Sequence, residues 1–298
     1  MSCIISKYEW DTLNPDAFPL KIISTQMLVS IPKHSHDFHE LVIFMRGSAI
    51  HKIYQEDGTL KSYSVVQGDV FAIRQNEQHS FENGHSAFYY NIIFRSELLQ
   101  SELRELEQFP LWKTFFGDSC PTHRMKSHLS PVDRAEVMQK IQALNQELEF
   151  QGDGFRFVAK TLFLEILAKI LRGTRQPILQ NEDFIIELPI LQCIGRIEDA
   201  PEKRYYLPSE ANSANMSIAS FTRKFRQATG CSMQEYIKLL RLKKAENLLM
   251  QTNINLEGIA AECGFYDTNY FIKVFKQQYK TTPAKFRVAR TAQKDEKT

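Results

Sequence analysis

The sequence predicts an α+β fold in two parts, a strand-rich barrel with a helical hairpin and then an all-helical domain with two helix-turn-helix motifs. Three observations lead to this fold class. Short apolar runs separated by turn residues fill residues 18–95, helical spacing of apolar residues follows from 131, and a helical pattern near the C-terminus repeats after 50 positions. We expect domains at residues 1–175 and 185–298, joined by a linker over 176–184.

The first part of the chain is typical of β-structure. Its apolar runs are short, and residues that favour turns interrupt them. The clearest interruption is Glu56-Asp57-Gly58-Thr59, because an Asp-Gly pair favours a tight hairpin. Further turn signals stand at Gly47, Gly68-Asp69 and Asn83-Gly84.

Three helices are predicted between the strands and the linker. Their apolar residues recur with helical spacing over 97–116, 131–150 and 154–172. The last two form a helical hairpin, since they are long and only a short polar segment separates them. One more helix is expected before the C-terminal motifs.

The segment from Asn255 to Lys276 predicts a helix-turn-helix. Asn255 can cap a first helix, Gly264 tolerates the left-handed turn after it, and Asp267 can cap a second helix. In the second helix Phe271, Val274 and Phe275 form the apolar face. Such a motif places its second helix in the major groove of DNA.

A similar motif stands 50 positions earlier, where Ser217 can cap a helix. The helix between the two motifs, over 232–251, would span about 30 Å, close to one turn of DNA. Two recognition helices could therefore enter successive major grooves. Ile218, Phe221, Phe225 and Ala228 are expected inward, and the outward side chains are Ala219, Thr222, Arg223 and Arg226 in the earlier helix and Asn269, Ile272, Lys273 and Lys276 in the later one.

Charge is distributed unevenly along the chain. Residues 203–298 hold 17 Lys and Arg against 8 Asp and Glu, a net charge of +9, whereas the whole chain carries only +2. A basic C-terminal part favours contact with phosphate, and an acidic N-terminal part does not.

Cysteine use and hydropathy indicate a cytoplasmic protein. The five cysteines are scattered, odd in number and without a C-x-x-C pair, so neither a disulfide framework nor a zinc site is indicated. The chain has no apolar run of about 18 residues and no secretion pattern at its start. We expect no membrane association.

The C-terminal motifs resemble those of the AraC/XylS family of bacterial transcription regulators over residues 185–290. The resemblance implies sequence-specific binding to duplex DNA, with RNA polymerase as a further partner. It assigns base contacts to Ala219, Thr222 and Arg223 in the first recognition helix and to Thr268, Asn269, Ile272 and Lys273 in the second. The matching motifs are Tyr236-Ile-x-x-x-Arg241-x-x-x-Ala245-x-x-Leu248-Leu249, Ile259-Ala260-x-x-x-Gly264-Phe265-x-x-x-x-Tyr270-Phe271-x-x-x-Phe275-Lys276 and Thr282-Pro283-x-x-Phe286-Arg287.

Two residues depart from the family pattern. Lys280 stands where the family has glycine, and Gly258 lies in the first turn of a helix, where it costs about 1 kcal/mol relative to alanine. The helix expected near Leu207 is also poor in large apolar residues.

Two further motifs in the strand-rich part are similar to the cupin patterns. The first is His34-x-His36-x-x-x-Glu40, and the second runs from Gly68 to His79. The similarity implies a cupin barrel, a double-stranded β-helix, with these side chains pointing inward. The second pattern departs from the cupins at Arg74 and Asn76, and the first at Leu28.

Three interpretations of the histidine motifs remain open. His34, His36, Glu40 and His79 are the ligand types that suit Zn, Mn, Ni or Fe(II). The same side chains could instead hydrogen-bond a sugar in a metal-free pocket, or could simply satisfy one another. His51 is expected to line the pocket and His39 to face away from it.

The resemblance favours a sugar as effector. Regulators of this family commonly use the barrel as a sugar pocket, and the segments around His36 and Asn91-Ile-Ile-Phe-Arg95 look most like the rhamnose-operon activators. By the same resemblance, the helices at 131–150 and 154–172 would pair two subunits, while packing on their own barrel is the alternative. A metal-dependent cupin enzyme is the rival class. It is disfavoured because no second catalytic carboxylate or nucleophile pattern accompanies the motif.

Overall fold

Strands fill the first part of the chain and helices fill the rest in the computed structural model, which describes residues 6–10, 18–27, 30–117, 125–173, 178–179 and 186–288. The chain forms two compact units. The first holds residues 1–187 and the four residues Gln227–Gly230, and the second holds the remainder. Most of the expected linker over 176–184 lies outside the described residues, and Ile178–Leu179 within it form a short strand.

Nine described strands form the sheet of the first unit. The two longest, β4 and β7, pair antiparallel along most of their length, and the other strands join them. The order is β1-β3-β7-β4-β6-β8-β9, with β2 on β7 and β5 on β4. The strands are β1 Ser6–Tyr8, β2 Leu20–Met27, β3 Ile31–His36, β4 His39–Tyr54, β5 Leu60–Val66, β6 Asp69–Ile73, β7 Gln78–Phe94, β8 Met125–His128 and β9 Ile178–Leu179.

The sheet folds over on itself into a barrel. Phe71 on β6 and Phe81 on β7 are not on paired strands, yet their ring centroids are 6.3 Å apart. They belong to a buried cluster that includes Phe44, Tyr63 and Tyr89. The opposite face of the sheet packs on helices through a second, larger cluster. Alternate residues of β4 and β6 therefore serve two different cores.

The turn signals in the strands had two different outcomes. Glu56 to Thr59 forms the predicted hairpin between β4 and β5, and Gly68 joins β5 to β6 with φ +92°. The turns predicted at Gly47 and at Asn83-Gly84 are wrong, because both lie inside the long strands β4 and β7. Gly47 (φ +74°) and Asn83 (φ +51°) take left-handed conformations there, and the pairing of these strands shifts register between Phe44 and Ile50.

The helices of the first unit match the predictions in part. The single helix predicted over 97–116 is wrong, since a 3-10 turn at Ser96–Leu99 and two short helices, α1 Leu103–Leu106 and α2 Pro110–Phe116, occupy this segment. Pro110 starts α2 because its ring disfavours a helical conformation at the residue before it. The hairpin is as predicted, with α3 Pro131–Phe150 and α4 Phe155–Gly173. Its apolar stripes pack on the outer face of the barrel.

The second unit is helical throughout its described residues. Ser217, Ser232, Asn255 and Asp267 each cap the helix that follows with a side-chain oxygen. No helix among the described residues has the length and hydropathy needed to cross a membrane. The helices are α5 Leu188–Asp199, α6 Leu207–Ser213, α7 Ile218–Thr229, α8 Met233–Gln251, α9 Leu256–Glu262 and α10 Thr268–Tyr279, and a further helical stretch begins at Pro283.

Candidate nucleic-acid interface and interior histidine cluster

Side-chain caps begin both helices of the α9–α10 motif, and a glycine turn joins them. The Asn255 Oδ1 accepts a hydrogen bond from Gly258 N at 2.8 Å, and the Asp267 carboxylate accepts from Tyr270 N at 2.9 Å. Gly264 has φ +78°, and a Cβ there would lie 2.3 Å from the carbonyl oxygen of Glu202. The departure at Gly258 has a similar steric reason, because a Cβ would approach Ile254 Cγ2 to 2.7 Å. This turn therefore fixes where α10 begins and points.

The outward face of α10 carries the predicted base-contacting residues. Asn269, Lys273 and Lys276 are exposed, while Thr268 and Ile272 are half-buried. The opposite face, made of Phe271, Val274 and Phe275, packs into the core of the second unit as predicted. The arrangement presents an amide and two cations on one exposed helix surface, where hydrogen bonds to base edges and phosphates can form.

Helix α7 repeats this arrangement. Ala219, Arg223 and Arg226 are exposed and Thr222 is half-buried, whereas Phe221 and Phe225 are fully buried. The inward placement predicted for Ile218 is wrong, since this side chain is 48% exposed. It begins the helix and so lies beyond the part of the core that Phe221 and Phe225 reach.

Two polar residues of α8 position the recognition elements. Arg241 donates to the carbonyl oxygens of Pro201 and Lys203, both at 2.8 Å, and so fixes the loop before α6. Glu246 accepts hydrogen bonds from Lys243 Nζ at 2.9 Å and from Tyr279 Oη at 2.8 Å, which joins α8 to the end of α10. The sequence signalled only Arg241, as part of a motif. Glu246 was missed because a charged residue in a helix is usually solvated.

Lys280 adopts the conformation for which the family uses glycine. It ends α10 with φ +60°, in the left-handed region, and its N–H donates to Lys276 O at 2.9 Å. A side chain in this region strains the backbone, by about 1 kcal/mol or more. The repeat position 50 residues earlier, Gly230, has φ +76° and no side chain.

In the barrel interior, three buried side chains from three strands converge. His36 on β3, Glu40 on β4 and His79 on β7 each offer one ligand atom, and these atoms lie within 4.8 Å of one another. His36 Nε2 is 3.5 Å from Glu40 Oε1 and has no hydrogen-bond partner among the described residues. Neutral imidazole nitrogens and a carboxylate in this arrangement can bind a divalent cation or the hydroxyl groups of a ligand.

Backbone carbonyls orient these histidines. His36 Nδ1 donates to Phe38 O at 2.7 Å and His79 Nδ1 to Glu77 O at 3.3 Å, because a carbonyl oxygen can only accept. The Nε2 atom of each ring is therefore the acceptor. Asn91 Nδ2 donates to Glu40 Oε2 at 3.2 Å and fixes the carboxyl group.

Burial dominates the electrostatics of the cluster. It raises the pKa of Glu40 to about 8 and lowers the pKa of His36 to about 4. The pKa of His79 is also well below its ordinary value, first because of burial and then because of its histidine neighbours. These directions favour a cluster without net charge at neutral pH.

His34 and His51 border the cluster. The strand geometry predicted that His34 would join the other three ligands, but it lies outside the close group because its Nδ1 is turned to Pro32 O of its own strand, at 2.8 Å. Its ring still contacts His79, with centroids 4.1 Å apart. His51 lines the same interior as predicted, 5.6 Å from the His79 ring, and its Nδ1 is hydrogen-bonded to Tyr63 Oη at 2.8 Å.

A separate cleft lies on the outer side of the barrel, and no motif in the sequence pointed to it. His39 faces away from the interior as predicted, and its Nε2 is hydrogen-bonded to Ser96 Oγ at 3.1 Å. Burial, and then the neighbouring Arg74, lower the pKa of His39 to about 4. The cleft has a volume of about 1100 Å³, and aromatic and polar side chains line it, among them His39, Arg74, Gln75, Phe94, Trp112 and Phe116.

Comparisons with known proteins cover both units. Residues 211–289 match the family described as "Helix-turn-helix domain", and residues 21–167 match "AraC-like ligand binding domain". The HTH-type transcriptional activator RhaR of Mannheimia succiniciproducens is 26% identical over 86% of this chain and 87% of its own length. RhaS of Escherichia coli, also named an HTH-type transcriptional activator, is 27% identical over 87% of this chain and 88% of its own length. Among solved structures, the DNA-binding domain of AdpA in complex with a target DNA is 25% identical, covering 35% of this chain and 95% of its own, with a TM-score of 0.34.

Proposed function

This chain belongs to the AraC family of transcription regulators, and on that premise we propose that it controls a carbohydrate-utilisation operon in response to a sugar bound in its first unit. Its second unit is the DNA-binding part. The observation that carries the proposal is the pair of recognition helices, α7 and α10, each with a buried aromatic face and an exposed polar and basic face. Two such helices suit two consecutive half-sites on duplex DNA.

Base contacts are proposed for the exposed residues of both recognition helices. Arg223 and Arg226 on α7 and Lys273 and Lys276 on α10 supply charge for phosphates and guanine edges, and Asn269 suits an adenine edge. The smaller side chains Ala219, Thr222, Thr268 and Ile272 would make apolar or hydroxyl contacts with bases. In vitro selection from random duplexes tests this assignment, because a change at a base-contacting residue shifts the preference at one base position, whereas a change at a phosphate-contacting residue weakens binding to all sequences.

A sugar effector fits the chemistry of the first unit. The interior cluster offers uncharged imidazole acceptors, a carboxyl group and an amide, which are groups that hydrogen-bond hydroxyls. Thermal unfolding of the full chain against a panel of monosaccharides and disaccharides is the test. A true effector should stabilise the protein by about 2.7 kcal/mol at a hundredfold excess over its dissociation constant.

Two variants would assign the sugar to one of the two cavities. His79→Ala should abolish the stabilisation if the sugar lies in the interior, while Gln75→Ala, in the outer cleft, should leave it intact. The reverse result would move the effector to the outer cleft. Failure of every sugar in the panel would contradict the sugar proposal and leave DNA binding untouched.

A metal is the second candidate for the interior, because His36, Glu40 and His79 lie close enough to share one ion. Zn, Mn, Ni and Fe(II) all suit two imidazoles and a carboxylate. Metal analysis of protein purified without chelator tests this candidate. About one equivalent would support it, and less than about a tenth would remove it. The proposal assigns the barrel to sensing and not to catalysis, since the curated relatives are named as transcriptional activators.

The proposal includes a homodimer that acts in the cytoplasm and contacts RNA polymerase at the promoter. Phe150 and Phe157, at the turn of the α3–α4 hairpin, are 86% and 78% exposed, which supports pairing through this end of the hairpin. Sedimentation should show a species of twice the chain mass. A single species of 34.6 kDa at micromolar concentration would contradict the dimer.

A further inference from the structure

A buried polar group of side chains holds the segment that leads into the DNA-binding unit. Ile186, two residues before the start of α5, donates its backbone N–H to Ser64 Oγ on β5 at 2.8 Å. Both residues are buried, and 122 positions separate them in the sequence. We call the described residues between α4 and α5, which are Ile178–Leu179 and Ile186–Glu187, the connector.

An ion pair fixes Ser64 from the other side. Lys126 Nζ on β8 donates to Ser64 O at 2.9 Å and is paired with Asp69 on β6, and both charged side chains are fully buried. Asp69 also accepts from Val66 N at 2.8 Å. A buried pair with further hydrogen bonds tolerates little displacement, because each charge depends on the other for its solvation.

The same strand, β8, also holds the earlier part of the connector. Met125 pairs with Leu179 and Lys126 with Ile178 in the β8–β9 ladder. The connector is therefore attached by a backbone ladder to β8 and by a side-chain hydrogen bond to β5. The second attachment is the weaker, since a single neutral hydrogen bond contributes about 1 kcal/mol.

The neighbour of Ser64 on β5 faces the interior cluster. Tyr63 lies directly across from His51 in the β4–β5 register, and its hydroxyl is hydrogen-bonded to His51 Nδ1 at 2.8 Å. Successive strand residues point to opposite faces of a sheet, so Tyr63 points inward and Ser64 outward. One peptide unit of β5 thus separates a contact in the pocket from a contact on the connector.

We propose that β5 relays the state of the interior pocket to the connector through Tyr63 and Ser64. A ligand that contacts His51 changes the His51–Tyr63 hydrogen bond and shifts the backbone of β5. This shift changes the hydrogen bond between Ile186 N–H and Ser64 Oγ. Ser64 is then a positioning residue that contacts no ligand itself. The inference rests on the proposed function in one respect, since it takes the interior as the effector site.

Hydrogen–deuterium exchange at the Ile186 amide tests the relay in the full chain without any ligand. Ser64→Ala removes the acceptor and should speed exchange at Ile186 by about 2- to 10-fold. Tyr63→Phe removes only the hydroxyl bonded to His51 and should change exchange at Ile186 as well, by about 2-fold or more. The matched control is Tyr54→Phe, which removes a hydroxyl bonded to Ser80 Oγ at 3.1 Å elsewhere on the barrel and should leave Ile186 unchanged.

Amides in the middle of β4 serve as the internal reference, because they report loss of stability of the whole barrel. If Tyr63→Phe affects Ile186 no more than Tyr54→Phe does, the relay is overturned. If Ser64→Ala leaves the exchange rate at Ile186 unchanged relative to β4, the Ser64–Ile186 hydrogen bond does not hold the connector, and the proposal is overturned. No sugar is used, so failure of the sugar screen would leave both results interpretable.

Discussion

The two units place their candidate functional groups in opposite environments. The second unit exposes polar and basic side chains on α7 and α10 above a buried aromatic core, whereas the first unit buries His36, Glu40 and His79 inside the barrel. A surface of exposed charges binds a large anionic partner without changing its own protonation. A buried cluster has shifted pKa values, so the stability of its unit and its affinity for a ligand both depend on its protonation state. We therefore expect the stability of the first unit to depend on pH and on its buried charges, and DNA binding by the second unit to depend on salt.

The largest expected effect is the loss of stability when the buried ion pair of the first unit is broken. Lys126→Ala removes the buried cation paired with Asp69, whose carboxylate keeps its contacts with Val66 N and His128 Nδ1, and should destabilise this unit by about 3 kcal/mol. Both tryptophans, Trp10 and Trp112, lie in the first unit, so denaturant unfolding followed by tryptophan fluorescence reports on it.

The matched control for that prediction is Lys140→Ala, which breaks the more exposed pair with Glu165. It should cost no more than about 1 kcal/mol. Equal losses for the two variants would contradict the idea that burial makes the Lys126–Asp69 pair important.

On the exposed side of the comparison, Arg223→Ala should weaken binding to the selected duplex by about 1–3 kcal/mol and relax the preference at one base position. Lys203→Ala is the control, since Lys203 is an exposed cation of the same unit outside both recognition helices. In vitro selection with each variant measures the preference. An unchanged preference for Arg223→Ala would exclude it from base contact.

The free energy of unfolding of the first unit should depend on pH, because its interior holds buried titratable groups. The folded state raises the pKa of Glu40 to about 8, so between pH 7 and 8 it holds a proton that the unfolded state has lost. Stability should therefore fall as pH rises through this window, by up to about 1.4 kcal/mol per pH unit. The lowered pKa values of His34, His36, His39 and His79 act in the other direction, mainly below about pH 7, because the unfolded histidines gain protons there.

Glu40→Gln is the variant that isolates this effect, since it keeps the shape and removes the titration. Its unfolding free energy should not fall between pH 7 and 8, as measured by denaturant titration at each pH. A wild-type stability that rises in that window would contradict a buried, metal-free cluster, because metal binding requires deprotonated ligands and strengthens with pH.

The smallest expected effect lies inside the second unit. Lys280→Gly relieves the left-handed backbone at the end of α10 and should stabilise this unit by about 0.5–1 kcal/mol. Gln278→Gly, on the exposed side of the same helix, should destabilise it by about 1 kcal/mol. Thermal unfolding followed by circular dichroism compares the two. A destabilising Lys280→Gly would mean that this lysine contributes more through its contacts than its backbone costs.

The sequence predicted the second unit better than the first for a physical reason. Caps and helix faces depend on local spacing, so Asn255, Asp267 and the buried Phe271 could be located from the residues alone. The exception, Ile218, lies at a helix end, where periodicity no longer decides burial.

The first unit depends on long-range pairing, which spacing does not reveal. The bulge at Asn83, the exclusion of His34 from the close cluster and the Lys126–Asp69 pair each follow from how distant strands align. The outer cleft around His39 was also unpredictable, because α2 and the barrel build it together. The motif spacing nevertheless identified three of the side chains that converge.

DNA recognition by the second unit is best tested by binding of the full chain to its selected duplex, and to a shuffled duplex, between 50 and 200 mM salt. We expect a clear preference for the selected duplex, together with a fall in affinity of about 10³-fold or more across that range if six or more phosphates are contacted. Equal binding to both duplexes, or an isotherm that salt does not move, would contradict a regulator that reads DNA through α7 and α10.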